Sequence, residues 1–116
     1  MLRGDVVLLN FPFAGGAGTK IRPAVVVQCD ANNSRLLSTI VAMVSSQTKY
    51  AHLPTQLLID PATLEGRASG LLRPSVIKSD VLYTIDKSLI LRKIGQLHPT
   101  SISQLDFCLK SSLSLM

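Results

Sequence analysis

The stretch "DVVLLNFPFAGGAGTKIRPAVVVQ", Asp5 to Gln28, decides the fold. Its first apolar run, Gly4 to Phe11, is too short for a core helix and is bounded by Asp5 and Pro12, so it reads as a strand. Its second, Arg22 to Cys29, is rich in β-branched residues and reads as another strand, with Pro23 acceptable only near its beginning. Between them, Pro12 to Ile21 carries three glycines and no apolar period. That composition predicts a flexible loop, and loops of this length in compact domains are often functional. Arg22 stands at the junction of loop and strand. An unpaired charge is costly to bury, so its guanidinium belongs at a strand mouth, facing a partner or a substrate.

Outward from this pair, "DANNSR" is a turn cluster, and Leu37 to Gln47 is a third strand that turns polar at its end. "TKYAHLP" is a second loop, Thr55 to Asp60 a short strand, and "PATLEGRASG" a helical turn and a bend. Leu71 to Ile85 alternates imperfectly around Pro74, which predicts one long strand with a bulge, or two strands. "LILRKIGQL" closes the β region. In the tail, Ile102, Leu105, Leu109, Leu113 and Met116 recur at helical spacing. Ser101 with Gln104 has the form of a capping box, and His98–Pro99 fits a helix start. Five or six short strands and one terminal helix predict a mainly β (α+β) chain. The expected form is a small curled antiparallel sheet or barrel, built as one domain over residues 1–116.

Composition narrows the function only loosely. The charged fraction is 16%, well below the usual quarter or so, which suggests a surface partly covered by another chain, with a dimer as the default. The net charge is +5, and the excess lies in residues 67–116, which hold seven Lys/Arg against three Asp/Glu. A basic balance favours polyanionic partners. Cys29 and Cys108 lie in apolar patterns without metal-ligand spacing and read as buried free thiols in a reducing compartment. No leader pattern opens the chain, and no run approaches the roughly 18 apolar residues of a membrane span, so a cytoplasmic location is expected.

Several chemistries find no support. His52 and His98 form no metal-ligand pair, the cysteines lack a nucleophile's context, and no serine sits in a Gly-x-Ser-x-Gly turn. The glycines of "AGGAGTK" do not make a phosphate-binding P-loop, because a strand follows where a helix is required. What remains is polar groups at strand ends. Arg22 opens one strand, Ser45, Ser46 and Gln47 end another, and Thr19 and Lys20 hang from the loop. Lys78 and Asp80, two apart, share a face of a third strand. Arginine, hydroxyl, lysine and carboxylate together can bind and activate a phosphodiester. On spacing alone the favoured reading is a surface ion pair of Asp80 with Lys78 or Arg22 beside ordinary strand-end serines.

The segment "RGDVVLLNFPFAGGAGTKIRPAVVVQ" resembles the opening of the MazF/PemK (Kid) toxin family. "STIVAMVSSQTKYAHLPTQLLI" and "VLYTIDKSLILRKIGQL" continue the likeness in order, and the tail matches the family's closing helix. The resemblance covers nearly the whole chain. It implies an SH3-like barrel with helices, of the CcdB/MazF/Kid type, assembled as a homodimer. It implies a ribosome-independent endoribonuclease, the toxin of a type II toxin–antitoxin system, that cuts single-stranded mRNA without metal or other cofactor. The products implied are a 2′,3′-cyclic phosphate and a 5′-hydroxyl. Arg22 falls at the family's catalytic arginine, Ser45 at its catalytic Thr/Ser, and Lys78 and Asp80 at an assisting basic and acidic pair. A guanidinium gives up a proton reluctantly, so charge stabilisation suits Arg22 and the base role falls to Asp80. Thr19, Lys20, Ser46, Gln47 and Lys78 are the expected substrate contacts, and Tyr50 a stacking platform for a base. The implied partner is a cognate acidic antitoxin. The same barrel also serves CcdB-type toxins, which bind DNA gyrase and cut nothing, and this is the alternative. The sequence departs from the family's pattern at Ser45, commonly threonine, at Lys78, where some relatives carry arginine, and in a first loop without histidine.

Overall fold

The computed structural model describes residues 1–12 and 18–116, with the side chains of Pro12 and Thr19 outside the description. Six strands, β1 (Asp5–Pro12), β2 (Thr19–Val26), β3 (Ser38–Ser45), β4 (Gln56–Ile59), β5 (Ser75–Asp86) and β6 (Ile90–Gln96), form one sheet. Their order is β4-β5-β3-β2-β1-β6, and every pairing is antiparallel. Among the described residues three α-helices, α1 (Asp30–Arg35), α2 (Leu64–Arg67) and the C-terminal α3 (Pro99–Leu113), accompany the sheet, and a 3-10 turn, Lys87–Leu89, joins β5 to β6. Among the described residues no helix is long and apolar enough to cross a membrane.

β3 and the inner parts of β1 and β2 read as apolar runs because they are covered on both faces. On one face Val6, Val25, Ala42, Val44, Leu57 and Ile77 pack with Leu105 and Cys108 of α3. The alternate residues Val7, Leu9, Ala24, Val26, Val41 and Met43 pack with Ile85 on the other face. That second face closes on itself by curling. Phe11 of β1 and Tyr83 of β5 meet edge to face with ring centroids 4.7 Å apart, although β2 and β3 lie between their strands in the sheet.

Four expectations need correction. "DANNSR" is helix α1, not a turn cluster; the buried Asn33 side chain donates to the Gln28 carbonyl at 2.9 Å and accepts from Thr39 Oγ1 at 2.7 Å, which holds the short helix to the sheet. The N-cap of α3 is His98, not Ser101. Its Nδ1 accepts from the Thr100 amide at 3.2 Å, and Pro99 takes the first helical position, where a missing N–H costs nothing. The helix ends at Leu113 because Ser114 is left-handed (φ 55°), so Met116 lies beyond it, exposed. Cys29 is exposed; only Cys108 is buried. The expected loop from Pro12 to Ile21 lies outside the described residues at 13–17, and β2 already begins at Thr19.

Candidate functional site: a basic cleft where two strands part

The early start of β2 places Arg22 and Pro23 inside a strand. Pro23 is tolerated there because β3 pairs only with Ala24, Val25 and Val26, which leaves the first half of β2 an edge on that side. The register is Ala24 to Met43, Val25 to Ala42 and Val26 to Val41. Continued by two residues, it would set Ser45 directly across from Arg22. The ladder stops first, the strands part, and a cleft of about 660 Å³ opens at the parting.

The cleft is lined by Lys20, Ile21, Arg22 and Pro23 of β2, and by Val44, Ser45, Ser46 and Gln47 at the end of β3. Its other wall comes from Leu8 of β1, the segment Gly70 to Arg73, Ser75, and Arg92 and Ile94 of β6. Among the described residues, four cations therefore face a space whose lining contains no Asp, Glu or His. Among the described residues the ion pairs are Arg3–Asp106 and Lys93–Asp5, and the cleft cations have no carboxylate partner. Ser45 is half-buried, and its Oγ accepts from the Gln47 backbone N–H at 3.1 Å. The hydroxyl proton is left to donate into the cleft. Fixed positive charge with a pre-aimed hydroxyl is an anion site, suited to a phosphoryl group.

Of the residues expected from sequence, the structure brings together Arg22, Ser45, Lys20, Ser46 and Gln47. Thr19 begins β2, with its side chain outside the description. Lys78 and Asp80 do not line the cleft. β5 carries three extra residues, Ser79 to Val81, where β3 steps directly from Ala42 to Met43. Gln56, opposite Lys78 on β4, donates to Asp80 Oδ1 at 2.8 Å. Asp80 is thus tied to β4 through Gln56, the residue opposite Lys78, and not to the cleft. Neither Lys78 nor Arg22 pairs with Asp80 among the described residues. Tyr50 is exposed, with Lys49 Nζ 5.5 Å from its ring centroid. Sequence reasoning missed Arg73, Ser75 and Arg92. The one signal pointing to the two arginines was the basic excess of the second half of the chain.

The chain matches the family model of the PemK-like, MazF-like toxins of type II toxin–antitoxin systems over residues 2–113. It is 34% identical over 115 residues to Endoribonuclease EndoA of Bacillus subtilis (strain 168), covering 98% of this chain and 95% of that one. Its fold is similar to that of an endoribonuclease in complex with its cognate antitoxin from a mycobacterial species, with a TM-score of 0.77 at 19% identity, covering 100% of this chain and 97% of the other. It is likewise similar to a MazE–MazF structure (Form-II) from Deinococcus radiodurans, with a TM-score of 0.77 at 23% identity, over 100% of this chain and 97% of the other.

Proposed function

The chain belongs to the PemK-like, MazF-like toxins of type II toxin–antitoxin systems, and from that premise we propose that it is an endoribonuclease acting at the Arg22–Ser45 cleft. The observation that carries the assignment is the parting of β2 and β3 two residues before an Arg22–Ser45 pair would form. The substrate is single-stranded RNA, in the cytoplasm. Its 2′-hydroxyl attacks the adjacent phosphorus, the new O2′–P bond forms as the P–O5′ bond breaks, and a 2′,3′-cyclic phosphate and a 5′-hydroxyl result.

Arg22 sits where charge develops on the non-bridging oxygens and stabilises it, remaining protonated throughout. Ser45, oriented by the Gln47 amide, donates to one of those oxygens. Asp80 has no part in this scheme as the base, because its carboxylate is engaged by Gln56 outside the cleft. No lining side chain among the described residues is a carboxylate or an imidazole, so solvent takes the 2′-hydroxyl proton and returns one to the departing 5′-oxygen. Lys20 and the Ser46–Gln47 turn hold the chain of the RNA beside the scissile bond. The alternative of a gyrase-binding toxin that cuts nothing is not favoured, since the relative named above is an endoribonuclease. A cognate acidic antitoxin would neutralise the toxin by filling the same basic cleft, and the active form is a homodimer.

The test is cleavage of a defined single-stranded RNA in EDTA by the wild-type chain and by Arg22→Ala, with a thermal melt of each. We expect wild-type cleavage to cyclic-phosphate ends and a loss of about 10²- to 10³-fold in Arg22→Ala, with the melt nearly unchanged. An Arg22→Ala chain that cuts at the wild-type rate would remove this residue from the mechanism.

A further inference from the structure

We propose that Arg73 and Arg92 form a second phosphate-binding subsite, which holds a flanking phosphate of the RNA while Arg22 and Ser45 hold the scissile one. The inference rests on the nuclease reading and concerns positioning, not the chemical step.

The first observation is how β6 divides its two adjacent cations. Lys93 reaches Asp5 Oδ1 at 3.2 Å and Gln96 Oε1 at 3.2 Å, so its charge is already answered within the sheet. Arg92, one residue earlier, stands opposite Leu8 of β1, which in turn stands opposite Pro23 of β2. Arg92, Leu8 and Pro23 form one row across three strands, and all three line the cleft. Arg92 has no carboxylate partner among the described residues.

The second observation explains how Arg73 reaches the same wall. The turn before it is pressed onto β6, backbone against backbone. A Cβ on Gly70 (φ +74°) would lie 2.0 Å from the Ile94 carbonyl oxygen, and one on Gly95 would lie 2.4 Å from the Ser69 carbonyl. The Gln96 amide donates to the Ala68 carbonyl at 2.9 Å, closing the contact. Gly70 to Arg73 thereby lies along the cleft. The fold thus brings two guanidiniums to one wall of one cleft without a counter-charge. Like charges so placed repel, and a phosphodiester relieves the repulsion by accepting from both forks. A strand whose phosphate sits at Arg22 has to continue along this wall, which is why RNA is the assigned occupant.

The experiment measures binding of a 2′-O-methyl single-stranded RNA, which the chain cannot cut, as a function of salt. Each phosphate neutralised on a single strand contributes about 0.7 to the slope of log K against log[salt]. We expect the double variant, Arg73→Ala with Arg92→Ala, to lower the slope by about 0.7, the share of one phosphate, and each single variant to lower it by part of that. Arg92→Lys should keep the slope, since a point charge still neutralises a phosphate. Arg35→Ala and Lys110→Ala, cations on α1 and α3 outside the cleft lining, should leave it unchanged. Two results would overturn the subsite: an unchanged slope in the double variant, or an equal fall in Arg35→Ala, which would make net charge the cause. The nuclease reading fails separately, if wild-type chain leaves cleavable RNA intact.

Discussion

Replacing Gly70 with alanine tests the clamp on which the cleft's far wall depends. The residue has φ +74°, a conformation that costs an L side chain about 1–2 kcal/mol. The added Cβ would lie 2.0 Å from the Ile94 carbonyl oxygen, against an ordinary contact of 3.4 Å or more. The obstacle is backbone, so no side chain can swing away. The turn has to retreat by well over an ångström, and the nearby bond from the Gln96 amide to the Ala68 carbonyl is lost. A lost backbone hydrogen bond costs about 1 kcal/mol more, for a total near 3 kcal/mol. In a domain of this size that lowers Tm by roughly 10 °C. The control is Gly18→Ala, where φ is +98° but no described atom lies within 4 Å, so only the dihedral cost remains. Urea denaturation of the two variants beside wild type separates the contributions. If Gly70→Ala lost no more stability than Gly18→Ala, the close approach would carry no energy and the clamp would be refuted.

Three further outcomes are expected. Ser45→Thr should cleave RNA at near the wild-type rate because the hydroxyl is retained, whereas Ser45→Ala should lose about 10-fold or more; equal rates for Ser45→Ala and wild type would remove the hydroxyl from the mechanism. Of the two thiols, Cys29 should react with a disulfide reagent within the mixing phase, and Cys108 only on unfolding, since burial also pushes the Cys108 pKa up and keeps it protonated at neutral pH; two thiols reacting at one rate would contradict the placement of α3. Leu105→Ala, at a fully buried position between α3 and the sheet, should cost about 2–5 kcal/mol in a denaturant titration; a loss below 1 kcal/mol would mean that α3 is loosely docked.

The middle of the sheet was legible because β3 and the inner parts of β1 and β2 are buried on both faces, so they appear as apolar runs between turn residues. That the Arg22 charge would not be buried was legible too, from the cost of burying it, but its place inside β2 rather than at the start of a strand was not. That Ser45 is its opposite number was not, since spacing cannot say which strands neighbour one another or where a ladder ends. Lys78 and Asp80 show the limit of alternation. A spacing of two gives a shared side only where the pairing is regular, and the three extra residues of β5 against β3 fall there. Arg92 was invisible beside Lys93, because only the fold shows that Asp5 answers one charge and leaves the other. The capping-box pattern at Ser101 lost to His98 because Pro99 fixes the first turn more firmly than a serine can.

The strand order also governs when the toxin comes into being. β1 meets β2 as soon as the N-terminal hairpin leaves the ribosome, but its other neighbour, β6, is nearly the last part of the chain to be made. Arg3, which pairs with Asp106, waits longer still. The cleft takes residues from Leu8 to Ile94, so its walls exist only once β6 has emerged. A nascent chain, or one cut short by a stalled ribosome, carries Arg22 and Ser45 without the wall that faces them.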